Sequence, residues 1–248
     1  MVAIRDISAV SALAEAAYSH FDILDQPFNE SDVLIALKTY SQFRGEMSGT
    51  QATLLLADWS LLDHQPNTGT GFSSSLFRSK SDPNTFVYAL RGTEGFFSDD
   101  LLSTDLGDIV LDGLAIHQIV DMYNDWSWLT APAGSTYRVA RLDTLPGLTS
   151  VQAMLQGRRD VVIDLPGGAV QRIAFVDSDD AYAAGDLHAT GAGRVSPGAK
   201  VTVTGHSLGG HLAMAFSRLF PALGAEAVAF NGAGFGSGAL DGLEGGKA

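Results

Sequence analysis

Between Lys200 and Gly210 the chain reads K-V-T-V-T-G-H-S-L-G-G, a β-branched run that stops on Gly-x-Ser-x-Gly and continues as an apolar helix pattern. Val201 and Val203 alternate with Thr202 and Thr204 as in a strand, and Leu208, Leu212, Ala213, Ala215 and Phe216 recur at helical spacing. A strand turning this abruptly into a helix points to an α/β fold, with the Ser207 hydroxyl held clear of the backbone at a helix N-terminus. Gly205 and Gly209, two residues either side, leave room for a strained turn that a Cβ would obstruct. The chemistry such a turn serves is nucleophilic attack by serine on an acyl carbon. The alternative is a buried turn with an inert hydroxyl.

The chain has 248 residues, 46% of them hydrophobic and 17% charged, enough to bury one substantial core, so residues 1–248 are expected to form a single domain. Asp and Glu number 28 against 15 Lys and Arg, a formal charge of −13 that repels nucleic acid and anionic surfaces. A neutral substrate fits better. With no cysteine, a disulfide framework, a thiolate metal site and a cysteine nucleophile are all excluded. Arg5, Asp6 and Glu15 interrupt the apolar residues leading to Tyr18, so no secretory signal pattern is visible. No segment reaches the roughly 20 apolar residues of a membrane span.

Along the chain, Val10, Leu13, Ala14, Ala17 and Phe21 predict a helix over Ile7 to Phe21, and a second covers Asp32 to Phe43. G-F-S-S-S-L-F-R-S from Gly71, a Ser-Asp-Pro-Asn turn at Ser81 to Asn84, and T-F-V-Y-A-L-R-G to Gly92 predict a hairpin whose second strand enters the central sheet. A helix is expected from Ile109 to Trp126. Tyr137 to Leu142, Asp160 to Leu165 and Ala169 to Asp177 predict strands, with a short helical piece around Ser150 to Leu155. Residues 127–198 therefore look like a β-rich insertion, a cap or lid whose aromatic approach (Tyr123, Trp126, Trp128, Leu129) either lines an acyl site or packs in the core. Ala225 to Phe230 predicts a buried strand.

An acyl-transfer site also needs two backbone N–H donors aimed at the developing oxyanion. Leu208, after the serine, supplies one. Thr93, in the loop ending the strand Phe86 to Gly92, is the natural second. A-L-R-G-T-E at Ala89 to Glu94 and V-T-G-H-S-L-G-G at Val203 to Gly210, with D-L-G-D between them and G-T-G-F at Gly69 before them, resemble the class 3, fungal-type lipases. That resemblance implies an α/β-hydrolase core with a mostly parallel central sheet and helices on both faces. It implies Ser207 as nucleophile, Thr93 and Leu208 as oxyanion donors, no cofactor, no metal, and a lipid or other acyl ester as substrate. Secretion is implied too, and the cysteine-free composition agrees. Phospholipase A1 and polyester hydrolysis are alternatives on the same machinery. A catalytically incomplete module that binds lipid or a partner is the alternative of another class.

The family places an acid and a histidine well downstream of the serine, whereas here Asp241 is the only aspartate there and His211 the only histidine. His211 lies four residues on along the helix that follows the strand-to-helix turn at Ser207, the elbow, beyond the point that exposes the hydroxyl, and is expected to pack. The expectation is an N-terminal portion of a longer polypeptide, the alternative a histidine supplied by the insertion. Two other patterns fail. Asp177, Asp179 and Asp180 begin like a calcium loop, but Ala181 and Tyr182 occupy positions where a ligand and glycine belong. G-F-G-S-G-A at Gly234 lacks the helix and ribose carboxylate of a dinucleotide site.

Overall fold

A computed structural model of the chain describes residues 4–39, 47–92, 115–145, 162–164, 170–178 and 188–235. The protein is a mixed α/β structure. Helices α1 (Ile4–Ala16), α2 (Glu30–Lys38) and α3 (Gly49–Asp58) precede strands β1 (Trp59–Gln65), β2 (Ser74–Ser79) and β3 (Thr85–Leu90). Helix α4 (Ile116–Thr130) leads to β4 (Arg138–Leu145), β5 (Val162–Asp164) and β6 (Val170–Asp177). Strand β7 (Lys200–His206), helix α5 (Leu208–Leu219) and strand β8 (Glu226–Phe230) follow.

The central sheet runs β1-β2-β3-β7-β8. Pairing is antiparallel across β1/β2 and β2/β3 and parallel across β3/β7 and β7/β8, so β1, β3, β7 and β8 share one direction and β2 opposes them. The expected hairpin forms, closed by Asp82, whose carboxylate accepts from the Asn84 N–H and the Thr85 hydroxyl. Period-two alternation divides β3 between two cores. Phe86, Tyr88 and Leu90 meet α4 and α5 through Ile119, Trp126, Leu212 and Phe216. Val87 and Ala89 meet α1 to α3 through Leu13, Ala16, Leu37 and Leu55. Helices thus cover both faces, as expected.

The three strands expected inside 127–198 form a separate antiparallel sheet, β4-β6-β5. Asn124 of α4 anchors it, donating to the Ala140 carbonyl (2.9 Å) and accepting from the Ala140 N–H (2.7 Å). Of the two alternatives for the aromatic approach, Trp126 and Leu129 take the core: both are buried, and Trp126 packs against Tyr88 (5.1 Å) and Phe216 (5.0 Å), because α4 runs on to Thr130 beneath the sheet. One expectation needs correcting. The strand at Ala225 to Phe230 exists, but Glu226, Ala227 and Ala229 are exposed, since among the described residues β7 is its one sheet neighbour. The Ser150 to Leu155 helix and residues 109–114 of the Ile109 helix lie outside the described residues, as do the Thr93 loop, the acidic stretch to Asp112, Asp179, Asp180 and Asp241. Among the described residues, no helix is long and apolar enough to cross a membrane.

Candidate active site

The predicted strand-to-helix turn forms as read. Strand β7 ends at His206, Ser207 is the N-cap of α5, and Leu208 is its first residue. Ser207 holds φ 56° and ψ −122°, a left-handed conformation that disfavours a residue with a Cβ. Hydrogen bonds over-determine that geometry. The Ser207 N–H donates to the Phe230 carbonyl (3.0 Å), while its own carbonyl accepts from Gly210 (3.0 Å), His211 (3.2 Å) and Ala233 (3.3 Å). A serine at a helix N-cap usually turns its hydroxyl onto the first free N–H groups; this one makes no such bond. The side chain is half-buried.

Glycine makes the close approach feasible. A Cβ on Gly205 would lie 2.4 Å from the Gly209 carbonyl carbon and 2.6 Å from the Leu90 oxygen. Gly205 is also the register partner of Leu90, so the ends of β3 and β7 lie side by side. Beyond Leu90, Gly92 abuts the elbow, where a Cβ would meet the His206 oxygen at 2.6 Å. The N–H of Leu208 makes no backbone hydrogen bond among the described residues, as expected for the first turn of a helix. Thr93, next after Gly92, falls outside them.

His211 packs, as the sequence suggested. It is fully buried, Nδ1 lies 3.2 Å from the Ala233 carbonyl, Nε2 accepts from the Ala115 N–H (3.4 Å), and the ring stacks on Phe235 at 4.1 Å. One ring nitrogen donating and the other accepting defines a neutral imidazole, and burial lowers its pKa below the usual value. Three other histidines are engaged away from the serine. His64 Nδ1 lies 3.0 Å from Ser75 Oγ in the core, and burial, assisted by the Arg91 charge, pulls its pKa down to about 4. His188, the insertion's histidine, stacks on Trp128 at 4.2 Å, and His20 lies 3.4 Å from Asp22. Among the described residues, no imidazole hydrogen-bonds the Ser207 hydroxyl.

Sequence reasoning passed over three polar features. Tyr18, just past α1, reaches the elbow: its hydroxyl accepts from the Gly92 N–H (3.1 Å) and donates to the His206 carbonyl (3.4 Å). Asp125 of α4 is buried, accepting from Ser74 Oγ and the Tyr88 hydroxyl at 2.6 Å each, and burial raises its pKa to about 6. Asp63 of β1 is held by Arg194 Nε at 2.9 Å, though burial still raises its pKa.

No protein-family model and no curated protein matches the chain. Among solved structures it is similar to the crystal structure of M37 lipase, with a TM-score of 0.30 and 14% identity over 93% of this chain. The chain spans 58% of the length of that lipase.

Proposed function

We propose that the protein is a serine-dependent carboxylic ester hydrolase of lipase type, related to the class 3 lipases, with Ser207 as its nucleophile. The conformation of Ser207 carries this reading: a non-glycine residue held at φ 56°, its hydroxyl released from helix capping. In the proposed reaction Ser207 Oγ attacks the ester carbonyl and its proton passes to a histidine base. The tetrahedral oxyanion accepts hydrogen bonds from the N–H groups of Leu208 and Thr93. Collapse breaks the ester C–O bond and the alcohol leaves with the proton. Water then cleaves the acyl-serine by the same route. Neutral acylglycerols are the proposed substrates, since a charge of −13 opposes anionic surfaces.

The engagement of both His211 nitrogens favours a second reading, a hydrolase-like module that binds lipid without turnover. A fluorophosphonate probe separates the two. Covalent labelling lost in Ser207→Ala, together with hydrolysis of short-chain esters, is the expected result. Failure of the full-length protein to label or to hydrolyse any ester would leave the binding module.

A further inference from the structure

We infer that Tyr18 is a positioning residue that sets the spacing between the two segments carrying the proposed oxyanion donors; the inference rests on the ester-hydrolase reading above. The phenol is buried, 5% exposed, and its oxygen bridges two strand ends remote in sequence. It accepts from the Gly92 N–H at 3.1 Å, one residue before Thr93, and donates to the His206 carbonyl at 3.4 Å, one residue before Ser207. A Cβ at Gly92 would lie 2.5 Å from this oxygen and 2.6 Å from the His206 oxygen, so the bridge requires glycine there.

One hydroxyl therefore ties the peptide at Gly92, next before Thr93 in sequence, to the peptide at His206, next before Ser207. Two oxyanion donors act only if their separation matches one oxygen atom, and such donors work at 2.7–3.1 Å, roughly, from the developing charge. The β3/β7 register aligns Leu90 with Gly205 but stops short of residues 92 and 206. There the phenol joins the two segments by hydrogen bonds, beside the packing of Gly209 against Leu90 and Arg91. Phenylalanine fills the same volume and leaves the Gly92 N–H, in the interior, without its acceptor. The N–H must then turn toward another partner, and the peptide at residue 92 turns with it.

The test is Tyr18→Phe in the full-length protein, assayed on a soluble p-nitrophenyl ester and with a trifluoromethyl ketone, whose adduct on serine carries an oxyanion. Removing an oxyanion donor outright costs about 10²–10³ in rate, so displacing one predicts a loss of roughly 10–100-fold in kcat. KM should stay near its wild-type value, and ketone affinity should fall in step with kcat. A role confined to stability instead lowers the melting temperature and leaves kcat per folded molecule unchanged, which overturns the inference.

Should Tyr18→Phe not fold, 2,3,5-trifluorotyrosine at position 18 keeps the shape and acidifies the phenol. Its phenolate cannot donate to His206, so kcat should decline with rising pH through the fluorophenol titration while KM stays level. A pH profile that superimposes on wild type overturns the positioning role. Wild-type protein inert to ester and probe alike removes the hydrolase reading and this inference together, whereas an active wild type with an unaltered Tyr18→Phe removes the inference alone.

Discussion

A methyl group on Gly209 would sit 2.1 Å from the carbonyl oxygen of Leu90. The first turn of α5 is thus pressed against the end of β3 with backbone on backbone, and neither surface can yield as a flexible side chain would. Gly209→Ala is expected to push the helix off the strand, at a cost of at least about 1–3 kcal/mol by the measure of overpacked cores. A lower urea midpoint with an unchanged slope would register it. Gly69→Ala is the control, since a Cβ there meets nothing within 4 Å. Equal midpoints for the two variants would contradict the close approach.

Ser207 stores strain that a glycine would not. At φ 56° and ψ −122° a side chain costs on the order of 1–3 kcal/mol, while the extra freedom of an unfolded glycine returns about 0.5–1 kcal/mol of that. Ser207→Gly should therefore be more stable than Ser207→Ala by roughly 1 kcal/mol. Both should lose probe labelling. Calorimetry that finds the alanine variant the more stable would mean the conformation is not strained.

The elbow was legible in the sequence because its requirements are local: glycines at fixed offsets, a β-branched run before and a helical stripe after. All five apolar residues assigned to one face of α5 are buried. The hairpin was legible for the same reason, since Asp82 closes its turn on residues two and three positions away. Strand β1 was missed because Asp63 and His64 interrupt its apolar pattern, and what makes them tolerable there, Arg194 and Ser75, lies 131 and 11 residues away. Helix α3 did carry a signal, the reciprocal capping of Ser48 and Gln51 in S-G-T-Q. Tyr18 had none, because its partners are 74 and 188 residues distant.

Two buried groups should make stability respond to pH in opposite senses. Burial raises Asp125 from 3.8 to about 6, despite hydrogen bonds from Ser74 and Tyr88 that pull the other way. Below pH 3.8 its contribution is fully present; between 3.8 and 6 the unfolded carboxyl ionises while the folded one keeps its proton, and stability falls. His64, lowered from 6.5 to about 4, does the reverse: its contribution is complete above 6.5 and is lost as pH falls toward 4. Each effect is on the order of 3 kcal/mol over its range, and the two largely cancel in the wild type. Asp125→Asn should expose the His64 slope, with stability dropping on acidification by up to about 1.4 kcal/mol per pH unit. His64→Gln should tilt the curve the other way. Denaturant titrations from pH 4 to 6.5 that run parallel for all three proteins would refute the assignment.

His211 is the histidine an observer would first nominate as the base, being four residues from Ser207, yet its ring is committed to the core. Replacing it with alanine removes stacking on Phe235 and strands the Ala115 N–H, which together should cost about 2–4 kcal/mol. Burial lowers its pKa, so this contribution is complete above the ordinary imidazole value near 6.5 and is lost as pH falls below it. Labelling of Ser207, corrected for the folded fraction, should remain within a few-fold of wild type in His211→Ala. A base behaves otherwise: its removal from a serine hydrolase abolishes nearly all turnover, about as fully as removal of the serine itself. Loss of labelling as complete as in Ser207→Ala, in a variant shown by circular dichroism to be folded, would therefore make His211 the proton acceptor after all. It would also require the ring to leave Phe235 and Ala233 during the reaction.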